Sequence, residues 1–194
     1  MTIKTCIASY HTKMTIEKLY KLILNFDPEI AYHSSHVKKI ALLLTDYLAL
    51  SKQTKQDIAN AALLHDIGKI MIPKSILGKP AKLTPEEYKI IKEHSLYGYQ
   101  ILGSIDGLQH IADIILYHHE FFNGTGYPTG KSGLEIPFIS RVLTISDVYE
   151  ALISDRCYRK ALPKVQAINI IIEGSGIQFD PVLVERFIYI KDFL

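Results

Sequence analysis

An all-α fold is predicted for this chain by three observations. Apolar residues recur with helical spacing along most of its length. Several segments open on a side-chain cap followed by proline. No stretch alternates apolar with polar residues as a half-buried strand would. The chain has 194 residues, 48% of them apolar, so it can bury one core of ordinary size and is not expected to be disordered.

The elements follow in order. Residues 15–24 form a short helix with Ile16, Leu19, Tyr20 and Ile23 on its apolar positions. Asp27 caps a second helix, with Pro28 in its first turn, running to about residue 50 and carrying Val37, Ile40, Ala41 and Leu44 on one stripe. A third spans 55–67 and is ended by Gly68. Thr84-Pro85-Glu86-Glu87 is a cap, a proline and an N3 glutamate, and starts a helix expected to continue through His94. Another covers roughly 108–120. Residues 121–137 hold Gly124, Gly126, Gly130 and Gly133 with Pro128 and Pro137, and must be a loop. Helices then follow Pro137, Pro163 and Asp180-Pro181. The division expected is an N-terminal helical extension over 1–26 and one domain over 27–194.

Charge and composition narrow the function classes. The formal net charge is +2, from 22 basic and 20 acidic residues, which provides no global field for a DNA or RNA duplex. Cys6 and Cys157 have no CxxC partner, which fits a reducing cytoplasm rather than a disulfide scaffold. The apolar runs 40–44 and 111–116 are too short to span a membrane, and the first thirteen residues lack the apolar segment of a signal peptide. A cytoplasmic protein with no membrane partner is expected.

Six of the eight histidines look organised. At 100° per residue, His33 and His36 lie about +40° and −20° from Glu29, on one side of the second helix. His65-Asp66 ends an apolar helix, where metal coordination would offset the cost of burying polar groups. Lys69, three residues after Asp66, projects near it and suits a phosphate oxygen or a developing negative charge. His94, the adjacent His118-His119 beside Glu120, and Asp147 in an apolar helix complete the set. Each has a bland alternative: a surface ion pair for Glu29, a dipole-favoured C-terminal histidine for His94, a salt-bridged buried acid for Asp147. Their combination without cysteine suits Fe, Mn, Ni, Co or Zn, and exceeds what one tetrahedral zinc needs, so two or three divalent ions are implied.

The segments HSSHV (33–37), AALLHDIGKIMIPKSILGKPAKLTPEE (61–87), His94, HHEFFNGTGYP (118–128), IPFISRVLTISDVYEALISDRCYR (136–159) and GIQFDP (176–181) together resemble the HD-GYP family of the HD phosphohydrolase superfamily. The resemblance implies an all-α helical bundle with a Gly/Pro-rich GYP loop that hydrolyses cyclic dinucleotides, chiefly cyclic di-GMP, to linear pGpG or GMP. It implies metal ligands His33, His65, Asp66, His94, His118, His119 and Asp147, with Asp66 bridging, Glu29 serving a third ion, and Fe or Mn foremost. Lys69 would contact the scissile phosphate, Gly126-Tyr127-Pro128 would shape the pocket, and Arg156 or Arg159 would clamp phosphate or guanine, the alternative being a structural pairing with Asp155 or Glu150. Signalling-protein partners and a homodimer are compatible with it. His36 stands where the family usually has Arg, Phe122 where it has Trp, Asn123 where Asp is common, and Cys157 where Pro is usual. These departures touch no proposed ligand but leave open a cyclic GMP-AMP phosphodiesterase, another HD nucleotide phosphohydrolase, or a catalytically silent dinucleotide- or protein-binding module.

Overall fold

The structure, a computed structural model, describes residues 3–155 and 159–194, with side chains from His11 onward. Arg156 therefore lies outside the described residues. Among those described the fold is all-α, and extended pairing is limited to isolated bridge positions such as that between Ser175 and Phe179. The helices are α1 (Ile3–Phe26), α2 (Pro28–Tyr47), α3 (Lys52–Leu64), α4 (Lys74–Leu77), α5 (Pro85–Lys92), α6 (His94–Gly103), α7 (Gln109–Leu116), α8 (Phe138–Ile153), α9 (Lys164–Glu173) and α10 (Pro181–Tyr189). Short 3-10 turns occupy Ile67–Met71, Gly133–Glu135 and Lys191–Phe193.

The capping residues act as their chemistry dictates. Asp27 accepts from the Glu29 N–H ahead of Pro28, and Asp180 accepts from the Val182 N–H ahead of Pro181. Thr84 and Glu87 form a reciprocal capping box. The expected helix through His94 is corrected: α5 stops at Lys92, and His94 opens α6. α5 buries none of its residues, whereas α6 buries His94, Ser95, Gly98 and Leu102. One straight helix could not both skim the surface and enter the core, so the chain turns at Glu93. The third helix also ends earlier than expected, at Leu64, and His65 becomes its C-cap.

Two apolar clusters form the core. One joins Ile16 and Ile23 of α1 to Val37, Leu64, Ile67, Leu102, Ile111 and Ile115. The other gathers Ile40, Leu44, Val142, Tyr149, Ile171, Leu183 and Phe187. α2 and α8 pack against each other and contribute to both clusters. A polar seam remains where they meet the ends of α3 and α7 and the start of α6.

Gly68 brings two parts of that seam together. A Cβ on Gly68 would fall 1.9 Å from the His94 carbonyl oxygen and 2.6 Å from the Gly98 nitrogen. Only glycine lets the turn after Asp66 lie against the start of α6. No helix among the described residues is long and apolar enough to cross a membrane.

Candidate metal centre

Four imidazoles are locked the same way round. His65 Nδ1 is 2.9 Å from the Ala62 carbonyl oxygen, His94 Nδ1 is 2.8 Å from that of Ile91, and His118 Nδ1 is 2.5 Å from that of Ile115. In each case the acceptor is three residues back, at a helix end where carbonyls lack partners. His33 Nδ1 instead meets the Glu150 carboxylate. Every Nδ1–H is thereby committed, and every Nε2 is presented to the seam.

Asp66 sits where these rings converge. Its Oδ2 is 3.4 Å from His65 Nε2, 3.9 Å from His33 Nε2 and 2.6 Å from Lys69 Nζ. Its Oδ1 is 3.5 Å from His94 Nε2. Asp147 Oδ1 lies 2.9 Å from His33 Nε2 and 3.8 Å from His65 Nε2. On the other side, His94 Nε2 is 3.4 Å from His118 Nε2 and 3.1 Å from His119 Nε2. The ligand-type atoms thus form overlapping groups: His33, His65 and Asp66; His65, His118 and Asp147; and His94, His118 and His119.

The donor set fits divalent metal. His94 and His118 have both given up Nδ1–H, so their Nε2 atoms oppose each other as lone pairs with no proton between them. Buried His65 Nε2 has no hydrogen-bond partner among the described residues. Burial lowers His94 to a pKa of about 4 against the opposing charge of Asp66, and burial followed by the charge of His65 and His94 lowers His118 to about 3. Burial likewise holds His119 well below its ordinary value. All three are neutral at neutral pH, the form in which an imidazole can coordinate a metal. Burial acts to raise the carboxyls, but Lys69 and His65 hold Asp66 well below the usual range, and His33 does the same for Asp147. For His33, burial lowers the pKa, and hydrogen bonds to Asp147 and Glu150 reverse this, raising it to about 9. These clusters can coordinate one or two divalent ions.

A cleft of about 200 Å³ opens onto the centre, lined by His33, Asp66, Lys69, His119, Asp147, Ala151 and Arg159. Lys69 and Arg159 give it cationic walls. Arg159 also donates to the last carbonyls of α8, at 2.5 Å from Ala151 O and 3.2 Å from Leu152 O, a structural role other than the expected pairing with Asp155 or Glu150.

The other expected residues are placed differently. Glu29 is exposed one turn before His33 and belongs to none of these groups. His36 is exposed too, 3.6 Å from Glu150, so the side of α2 that sequence spacing assigns to all three residues divides between core and solvent. Gly126, Tyr127 and Pro128 do not line the cleft. Tyr127 instead stacks on His119 with centroids 4.8 Å apart, and the Lys92 ammonium sits 5.5 Å from its ring centre. Gly126 packs against the His119-Glu120 backbone, where a Cβ would lie 2.5 Å from the His119 carbonyl oxygen.

Two carboxylates have roles that sequence reasoning did not assign. Glu120, the acid that follows the two histidines in sequence, serves the loop instead. It accepts from the Thr129 N–H at 2.7 Å, the Thr129 hydroxyl at 2.8 Å and the Gly130 N–H at 3.1 Å, and so anchors the loop. Glu150 is the partner of His33. Its i, i+3 spacing from Asp147 was the available signal.

The HD domain family profile matches residues 17–183. A cyclic di-GMP phosphodiesterase of Vibrio cholerae serotype O1 is 38% identical over 92% of this chain and 39% of its own length. The 3'3'-cGAMP-specific phosphodiesterase 3 of the same organism is 37% identical over 83% of this chain and 35% of its own. The chain thus spans less than half the length of these curated relatives. The HD domain of the L. monocytogenes phosphodiesterase PgpH, solved in complex with cyclic-di-AMP, shares the fold with a TM-score of 0.66 at 22% identity, covering 90% of this chain and 92% of that one. This chain belongs to the HD domain family and is related to its cyclic-dinucleotide phosphodiesterases.

Proposed function

We propose that this chain is a metal-dependent phosphodiesterase of the HD-GYP branch that opens cyclic di-GMP to linear pGpG or carries it on to GMP. The observation that carries this reading is Asp66, whose two oxygens face separate histidine groups while Lys69 lies beside it on the cleft. Divalent ions, when bound, supply Lewis-acid charge for a phosphate and acidify a water nucleophile. His33, His65, Asp66 and Asp147 would hold one ion, and Asp66, His94, His118 and His119 a second. Glu29, one helical turn from His33, would help to hold a third. Iron or manganese suits the His/carboxylate set best, with Ni, Co and Zn also accommodated.

The protein's own groups do the rest. Lys69 and Arg159 orient the phosphodiester from opposite roles: Lys69 as a mobile point charge, Arg159 as a planar donor already tied to α8. Charge building on the phosphoryl oxygens is met by Lys69. Tyr127 steadies His119 from outside the cleft, so the GYP segment acts on the pocket through a ligand.

The relatives include enzymes named for either cyclic di-GMP or 3'3'-cGAMP, and cyclic GMP-AMP is the second reading. Protein prepared without oxygen should carry metal and convert cyclic di-GMP faster than cyclic GMP-AMP, as resolved by chromatography of the products. Metal-loaded protein that turns over neither would overturn the enzymatic reading in favour of a binding module.

A further inference from the structure

We propose that Glu150 is a positioning residue of the metal centre, whose carboxylate fixes the His33 ring so that Nε2 faces Asp66 and Asp147. The inference deepens the metal-dependent reading above and rests on it. Its physical basis is the difference between His33 and the other three locked histidines. His65, His94 and His118 stand at helix boundaries, and each uses a carbonyl three residues back. His33 lies inside α2, Pro28–Tyr47, where carbonyls belong to the helical ladder. A ring there needs an acceptor from elsewhere, and Glu150 brings one from 117 residues away.

Glu150 is itself held for the task. It is 2% exposed, and the Ser154 hydroxyl donates to its Oε1 at 2.6 Å while Oε2 serves His33 Nδ1. Because Glu150 is one turn after Asp147 on α8, a single rigid helix sets both a ligand and the orienter of another ligand. A carboxylate on the far nitrogen also makes the imidazole a stronger donor, and loss of such partners typically weakens metal binding by about 10- to 100-fold.

Manganese titrations of the metal-stripped chain, by calorimetry or equilibrium dialysis, test this without reference to any nucleotide. Glu150→Ala should weaken binding at the His33 site by roughly 10- to 100-fold and leave the His94–His118–His119 site unchanged. Glu150→Gln keeps an amide oxygen for Nδ1–H and should recover part of that loss. Ser154→Ala should give a smaller weakening in the same direction, and it remains informative if Glu150→Ala does not fold. Unchanged manganese affinity at both sites in Glu150→Gln and Ser154→Ala, with wild-type binding intact, would overturn the proposal alone. Wild-type protein that binds no manganese, iron or zinc would overturn it together with the metal-dependent reading.

Discussion

His94 and His118 face one another through Nε2 atoms 3.4 Å apart, each having given its Nδ1–H to a backbone carbonyl. Two lone pairs directed at one point in a buried seam repel each other, and a shared cation removes the repulsion. Removing metal should therefore destabilise the fold. At 100 times the dissociation constant, a metal selective for the folded chain adds about 2.7 kcal/mol. For a domain of this size that is roughly 5–10 °C in Tm. Thermal unfolding with added manganese and with chelator measures it; identical melting curves would show that the centre does not take up this ion.

The same groups set the pH dependence of the metal-free fold. His94 and His118 titrate at about 4 and about 3 when folded, below the ordinary 6.5. The unfolded chain thus takes up their protons first, and their contribution is lost as pH falls below about 6.5. His33 is raised to about 9, so its contribution is complete below about 6.5 and lost as pH climbs through 9. Stability of the stripped protein should peak near neutral pH, with each fully titrating histidine changing the unfolding constant up to about tenfold per pH unit. Urea midpoints between pH 5 and 9 would reveal this, and a flat profile would contradict it.

Lys69 separates metal holding from charge stabilisation. Its ammonium lies 2.6 Å from Asp66 Oδ2 and also faces the cleft. Lys69→Met should lower kcat on the cyclic dinucleotide by roughly 10²–10³-fold, with the metal still bound. Parallel kinetics and metal analysis decide it: full activity would remove Lys69 from the chemistry, and loss of metal would recast it as a support for Asp66.

Gly68→Ala tests how the centre is assembled. The added methyl would meet backbone rather than a yielding side chain, 1.9 Å from the His94 carbonyl oxygen. The turn and α6 would have to part, at a cost of about 3 kcal/mol or more, and manganese affinity should fall with stability. A variant with wild-type melting and metal binding would show that the close approach is not needed.

Local chemistry made much of this molecule legible in its sequence. Asp27, Asp180 and the Thr84–Glu87 box act over two or three residues, so their helix starts follow from short strings of residues. The wealth of histidine and carboxylate, and Lys69 one turn beyond His65-Asp66, likewise needed no tertiary information. Where partners are remote, only the folded chain could decide. That α5 ends before His94 depends on which residues the core accepts. That Glu120 anchors a loop while Glu150 orients His33 depends on packing across the bundle. The division of the histidines about the two oxygens of Asp66 depends on helices brought together by burial, which sequence spacing within any one of them does not encode.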